Sequence, residues 1–380
     1  MPADAARPAA GEARFAGVRA RRPVECVDLA EDAATVARGG FWAVVGEFDG
    51  PVRAWRFADV VRGDGTADPG DGDAWQGPSV TGWSTSMDRP TYERAVEAVR
   101  GAVRAGDVYQ ANVCRVLAAP LRGGAGGEPS AQALAAVLAR GNPAPFGGLV
   151  HVPASSGLPP VWVVSASPEL YLRLWDGVLT SAPIKGTAPT QARLGDKDRA
   201  ENVMITDLVR NDLQRVCDPG SVEVTSLLAV EHHPGLVHLV STVQGRLTRS
   251  AASAPDRWAR VLAATYPPAS VSGAPKLAAL GLIAALEPVP RGPYCGAVGW
   301  IDADAGRAEL AVGIRTFWWT ADAEVRAGAQ VAPGDRAAAV SGTLRFGTGA
   351  GITWGSEPSA EWAETELKAH RLIGLASAPH

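Results

Sequence analysis

Cysteine is scarce and scattered in this 380-residue chain. The four thiols, Cys26, Cys114, Cys217 and Cys295, form neither a CxxC pair nor a Cys/His cluster. That spacing argues against a zinc site and against a disulfide framework. No run of about 18 apolar residues occurs, so no membrane span is expected. The Ala/Arg-rich N-terminal stretch lacks an apolar h-region and does not read as a secretory signal. No GxGxxG opens a helix after a strand and no GxxxxGKS or GxxxxGKT loop is present, so nucleotide-binding loops are not indicated. Basic residues are dispersed, and a formal net charge of −4 gives no attraction to nucleic acid or to an anionic membrane. The chain reads as cytoplasmic, with neither a nucleic-acid nor a membrane partner.

With 46 % hydrophobic and 20 % charged residues, the composition is that of a globular protein able to bury a large core. Residues 1–14 read as a disordered tail. Residues 15–89 read as a region of strands ending in a Gly/Asp-rich loop over 62–79, and residues 90–378 as the main body. From Thr91, Tyr92, Ala95, Val96, Val99 and Val103 recur at helical spacing until Gly106 stops them. Further helices are expected over 130–140, 196–215, after Pro275 and over 358–375. Strand-like runs cover 108–117, 161–166, 170–175, 178–182, 295–301, 308–319 and 343–354. Strands and helices interleaved this irregularly favour α+β with antiparallel sheets over a βαβ repeat.

Two carboxylate pairs stand at i,i+3 on expected helices: Asp198 with Glu201, and Glu361 with Glu364. Each pair shares a helix face, and two such faces brought together would make an oxygen-rich site suited to Mg²⁺. Solvated helix faces would show the same spacing. Lys185, in Pro183-Ile184-Lys185-Gly186-Thr187, becomes a nucleophile if desolvated. Glu169 precedes it by sixteen residues and is a candidate general acid. His238 lies in an apolar run, where a core histidine is the plainer reading. Arg315 emerges from an apolar strand and needs an anion, either an acidic side chain or a substrate carboxylate. The glycines of Gly347-Thr348-Gly349-Ala350-Gly351 read as an open carboxylate-binding loop or as a simple tight turn.

Ten segments stand in a specific order: GDVYQAN (106–112), SPEL (167–170), PIKGTAP (183–189), DRAENVMITDLVRNDL (198–213), VHLVSTVQG (237–245), SVSGAPK (270–276), RGPYCGAVGW (291–300), GIRT (313–316), GTGAGIT (347–353) and EWAETELKA (361–369). Together they resemble the chorismate-utilising enzymes, over about residues 90–375, with an N-terminal region that looks shortened. The resemblance implies an α+β fold of two packed antiparallel-rich sheets flanked by helices. It implies Mg²⁺ bound directly by Glu201 and Glu364, with Asp198 and Glu361 acting around the metal. Arg315, Tyr294, Gly349 and Gly351 would grip the enolpyruvyl group of chorismate. Thr187, Ser272, Gly273 and Lys368 would complete the substrate pocket, with His238 near the reacting ring. Glu169 would protonate the departing C4 hydroxyl.

Two positions distinguish branches of that family. Gln110 stands where the isochorismate and salicylate branches carry a water-activating lysine, which disfavours hydroxylation. Lys185 resembles the PIKGT lysine of the aminodeoxychorismate synthase component I branch, where the anthranilate branch typically has alanine. The resemblance therefore implies transaminase-class amination of chorismate through a covalent Lys185 adduct at C2, in 4-aminobenzoate, folate or related specialised biosynthesis. The alternatives are C2 amination to anthranilate, or a non-catalytic chorismate-binding subunit. No glutaminase module is evident in the chain, so a separate glutamine amidotransferase subunit is expected to supply ammonia. Cys295, after Tyr294, reads as a packing residue.

Overall fold

β-branched and aromatic residues make up most of runs such as Phe41–Gly46, Val161–Ser167 and Thr316–Ala321, which fits them to pleated surfaces. The computed structural model describes residues 11–63, 74–124, 127–188, 190–233, 236–322 and 340–377. The strands are β1 (Glu12–Phe15), β2 (Val18–Asp28), β3 (Phe41–Gly46), β4 (Val52–Arg62), β5 (Ser84–Thr85), β6 (Gln110–Arg122), β7 (Phe146–Val152), β8 (Val161–Ser167), β9 (Leu170–Trp175), β10 (Val178–Ala182), β11 (Ile184–Ala188), β12 (Glu223–His233), β13 (Leu236–Arg246), β14 (Gly273–Ala274), β15 (Ala297–Asp302), β16 (Arg307–Val312), β17 (Thr316–Ala321) and β18 (Ser341–Ile352). The helices are α1 (Ala33–Val36), α2 (Arg89–Ala105), α3 (Ala131–Gly141), α4 (Asp196–Gln214), α5 (Arg249–Ser253), α6 (Arg257–Thr265), α7 (Lys276–Leu286) and α8 (Pro358–Ser377).

Every strand pairing among the described residues is antiparallel. One half of the ladder runs β13–β10–β9–β16–β15–β3–β4–β2, and the other runs β7–β8–β17–β18–β6. Strand β1 pairs with both β2 and β7, so the two expected sheets are hydrogen-bonded into one. Their inner faces share a core in which Val45, Trp55 and Val298 meet Val163 and Trp318. The outer face of the second half is covered by α3 and α8, through Leu134, Leu138, Leu372 and Ala376 packed on Trp162, Phe317 and Phe346.

Three expectations change. Residues 12–14, read as tail, belong to β1, where buried Glu12 is held by Arg14 and Arg19. Residues 1–10 and 64–73, the latter within the expected loop, lie outside the described residues. Beyond them, Trp75 is buried and its indole N–H donates to the Ala376 carbonyl at 2.7 Å. The run 308–319 is split into β16 and β17 at Gly313–Arg315, where Arg315 has a left-handed backbone with φ +52°.

Helix α4 begins at the candidate Asp198/Glu201 face and is fixed from behind. Buried Asn202 donates to the Leu239 carbonyl on β13 at 3.0 Å and also pairs with Ser241. Lys276 at the start of α7 reaches Asp212 on α4 at 2.7 Å. Helix α2 starts two residues before the expected Thr91, with Asp88 accepting the Thr91 N–H, and ends at left-handed Gly106, the expected stop.

Candidate active site

Lys185 sits on β11, whose partner β13 places His238 opposite Thr187. His238 is buried, and the Thr187 side chain lies outside the described residues. Gly186 has φ +85°, and a Cβ there would lie 2.8 Å from Asp198 Cβ, so glycine lets β11 close onto the start of α4. The Asp198 carboxylate is turned back to its own helix, accepting the Gly195 N–H at 2.9 Å.

The expected open loop at 347–351 is instead part of β18, paired with β6 from Ser341 to Ile352. Its other edge pairs with β17 only as far as Phe346, so the glycines continue the strand past the end of its second neighbour. They also admit close neighbours. A Cβ on Gly347 would strike the Tyr294 ring at 2.0 Å, and one on Gly349 would meet Cys114 Sγ at 2.6 Å. A Cβ on Gly351 would lie 2.5 Å from Gln110 Nε2, 3.0 Å from Asn112 Oδ1 and 3.1 Å from Lys185 Nζ. Lys185, Gln110 and Gly351 therefore converge on one point, although they come from three strands far apart in sequence.

Glu169, at the β8–β9 junction, is 3 % exposed. Burial pushes its carboxyl up to about 7, against the opposing influence of the Ser270 hydroxyl, Lys185 and the Ile184 N–H. Burial pushes the Lys185 amine down, partly offset by Glu201, while Lys368 adds to the depression. The pair is thus shifted toward a protonated acid and a neutral amine, the forms that general-acid and nucleophilic chemistry require.

Helices α4 and α8 do bring the carboxylates together. Glu361 is buried, and Lys197 Nζ lies 3.4 Å from its Oε1 and 3.8 Å from Glu201 Oε1. Burial pushes Glu201 up, while Lys185 and Lys197 oppose it. Glu201 Oε1 is buried without a hydrogen-bond partner. Burial would also raise Glu364, but Lys368, 2.6 Å away, holds it below the usual carboxylate range. Lys368 also donates to the Gly349 carbonyl at 3.0 Å, tying α8 to β18. As placed, no group of three or more His, Cys, Asp or Glu among the described residues is arranged to hold a metal ion. The donor set still fits a hard divalent cation: the carboxylates converge, one buried oxygen lacks a partner, and a lysine ammonium occupies the space between them.

Arg315 projects from the β16–β17 break. Burial pushes its guanidinium down, and no acid among the described residues offsets that. Such a group fits an anionic ligand. Tyr294 is buried against Gly347, and Cys295 beside it is a buried free thiol with φ +64°, consistent with packing. Ser272 is buried with its hydroxyl donated to the Pro268 carbonyl at 3.1 Å, so it shapes the turn before Gly273. Gly273 in turn packs against the Gln110 carbonyl, which a Cβ would meet at 2.4 Å.

The motifs alone did not expose the role of Arg291. It is 1 % exposed, pairs with Glu287 at 2.6 Å, and donates to the carbonyls of Asn112 at 2.9 Å and Val271 at 3.0 Å. Glu287 also accepts the Cys114 N–H at 2.9 Å. This buried pair knots β6, the 270–273 turn and the Tyr294 loop together. The Glu/Arg i,i+4 spacing at the end of an apolar helix was its signal in the sequence.

A family model described as chorismate binding enzyme matches residues 70–334 and 336–374. Aminodeoxychorismate synthase component 1 of Klebsiella aerogenes is 34 % identical over 306 residues, covering 77 % of this chain and 59 % of that protein. Anthranilate synthase component 1 of Saccharolobus solfataricus is also 34 % identical, over 311 residues, covering 79 % of this chain and 64 % of that one. The chain thus spans about three fifths of the length of these relatives. Among solved structures, anthranilate synthase component I from Streptococcus pneumoniae superposes with TM-score 0.71 at 21 % identity, covering 98 % of this chain and 93 % of that one. The menaquinone-specific isochorismate synthase of Escherichia coli gives 0.72 at 17 % identity, covering 99 % and 92 %. The fold is therefore that of these enzymes. No helix among the described residues is long and apolar enough to cross a membrane.

Proposed function

Because this chain belongs to the chorismate-binding enzyme family, we propose that it aminates chorismate at C4 as an aminodeoxychorismate synthase component I. The observation that carries this reading is the buried Lys185–Glu169 pair, with Lys185 Nζ at the point where Gln110 and Gly351 converge. Sequence identity does not choose between the two aminating branches, since both give 34 %. The choice rests on what Lys185 can do.

The neutral Lys185 amine attacks C2, the ring double bonds shift, and the C4 hydroxyl departs as water with the proton of Glu169. Ammonia then forms a bond to C4, the double bonds shift back, and the C2–Nζ bond breaks to return the lysine. The net exchange is hydroxyl plus ammonia for amine plus water, with the enolpyruvyl ether retained. Splitting the substitution in two avoids a single direct displacement at C4. Gln110 is buried beside the lysine and has no basic nitrogen with which to activate water. Arg315 supplies a charge for a substrate carboxylate. Glu201, Glu361 and Glu364 would hold Mg²⁺, which when bound would orient the substrate and neutralise its ring carboxylate. Ammonia would come from a separate glutamine amidotransferase subunit, a reading supported by the component 1 names of the relatives. The setting would be cytoplasmic 4-aminobenzoate or related biosynthesis.

The test is to incubate the protein with chorismate, Mg²⁺ and ammonium and to separate the products by chromatography. The expected product is 4-amino-4-deoxychorismate, lost in Lys185→Ala. Anthranilate as the main product would overturn C4 amination and favour the other branch. No turnover, with or without a glutaminase partner, would favour a binding subunit.

A further inference from the structure

We infer that Lys197 is a tethered counter-cation that competes with a divalent metal ion for the carboxylates of Glu201 and Glu361. The inference rests on the metal reading above and concerns a residue to which no role has been given. Lys197 Nζ lies between the two acids, 3.4 Å from Glu361 Oε1 and 3.8 Å from Glu201 Oε1. Both acids are well removed from water, with side chains 6 % and 16 % exposed, whereas the lysine side chain is 53 % exposed. The ammonium therefore reaches in from the rim on a flexible stem and can withdraw to solvent at little cost.

The neighbouring lysine is placed differently. Lys368 is bound to Glu364 at 2.6 Å and to the Gly349 carbonyl at 3.0 Å, so its head has fixed partners on both sides. Among the described residues Lys197 has no such backbone anchor; there its hydrogen bond is to Glu361 alone, and its approach to Glu201 is longer than a hydrogen bond. Two carboxylates this close and this shielded repel each other unless a cation stands between them. Lys197 supplies that cation and holds both acids in position. A divalent ion entering the same space must displace it, so part of the metal's binding energy is spent on removing the lysine. Because the ammonium is half exposed, the competition is modest, on the order of two- to fivefold in metal affinity.

The test is direct Mn²⁺ binding, followed by electron paramagnetic resonance of the free ion, for wild type, Lys197→Gln and Lys197→Arg, with melting curves run with and without Mn²⁺. Lys197→Gln should bind Mn²⁺ about two- to fivefold more tightly than wild type. Its metal-free form should melt lower, and Mn²⁺ should raise its melting temperature more. Lys197→Arg, which keeps the charge, should stay near wild type. Equal or weaker Mn²⁺ binding by a folded Lys197→Gln would overturn the counter-cation role while leaving the metal reading intact. No Mn²⁺ binding by any of the three proteins would overturn the metal reading and this inference with it.

Discussion

Burial shifts Glu169 and Lys185 in opposite directions, the first toward its protonated acid and the second toward its neutral amine. Glu169 is pushed up to about 7 by burial, so near neutrality much of it is still an acid. Lys185 is pushed down by burial, so more of it is a free amine. The rate should therefore fall on the alkaline side as Glu169 loses its proton near pH 7, and on the acid side as Lys185 gains one. A pH profile of kcat/KM measures both limbs. Glu169→Gln should lower kcat by roughly 10²–10⁴ and remove the alkaline limb.

The same residue makes a stability prediction. Its folded-state value lies above the ordinary 4.5, so the folded protein binds more protons between pH 4.5 and about 7, and stability falls as pH rises through that window. Above pH 7 the cost is about 3 kcal/mol, and Glu169→Gln removes it. Thermal melts should show the variant gaining on wild type at pH 8 and not at pH 4. The SPEL and PIKGT segments made both residues visible in the sequence. Their protonation bias was not visible, because it comes from burial by distant parts of the chain, which at Glu169 outweighs the opposing hydrogen bonds of Ser270 and Ile184.

At the scale of elements, the site is assembled where backbone closes on backbone. Helical i,i+3 spacing put Asp198 with Glu201, and Glu361 with Glu364, each on one face of its own helix, because that periodicity belongs to α4 and α8 themselves; it left open whether the two faces meet. It could not reveal that the Asp198 carboxylate would cap its own helix at Gly195. The glycine run at 347–351 read as a loop because glycine is the usual turn residue. Within β18 the glycines instead make room for Tyr294, Cys114 and Lys185. Gly351→Ala puts a methyl group 2.5–3.1 Å from Gln110, Asn112 and Lys185, and should cut kcat/KM at least tenfold with little loss of secondary structure by circular dichroism. The Arg291–Glu287 pair escaped notice because its acceptors, Asn112 and Val271, lie far away in the chain. Arg291→Met leaves Glu287 buried and unpaired and should cost about 3–5 kcal/mol in denaturant unfolding, more than the double replacement of both partners.

For the whole molecule, the α+β class and most helices were legible, because amphipathic spacing and stop signals such as Gly106 act locally. The order of strands was not legible. Lys185 on β11 and Gly351 on β18 are brought together by pairings that span most of the chain, and no local pattern encodes them. The pairing of β1 with β7 likewise recruits residues 12–14, whose composition alone reads as disordered. These long-range pairings bring the Lys185 amine to Gly351 of β18 and within electrostatic reach of Glu201 on α4 and Glu364 on α8. The claim that it forms a covalent bond to the substrate is tested most directly by peptide mass spectrometry of enzyme mixed with chorismate and Mg²⁺ without ammonia, then acid-quenched. The Lys185 peptide should gain the mass of chorismate less one water in wild type and not in Glu169→Gln. An unmodified Lys185 in an enzyme that forms the C4 amine at full rate would contradict the account.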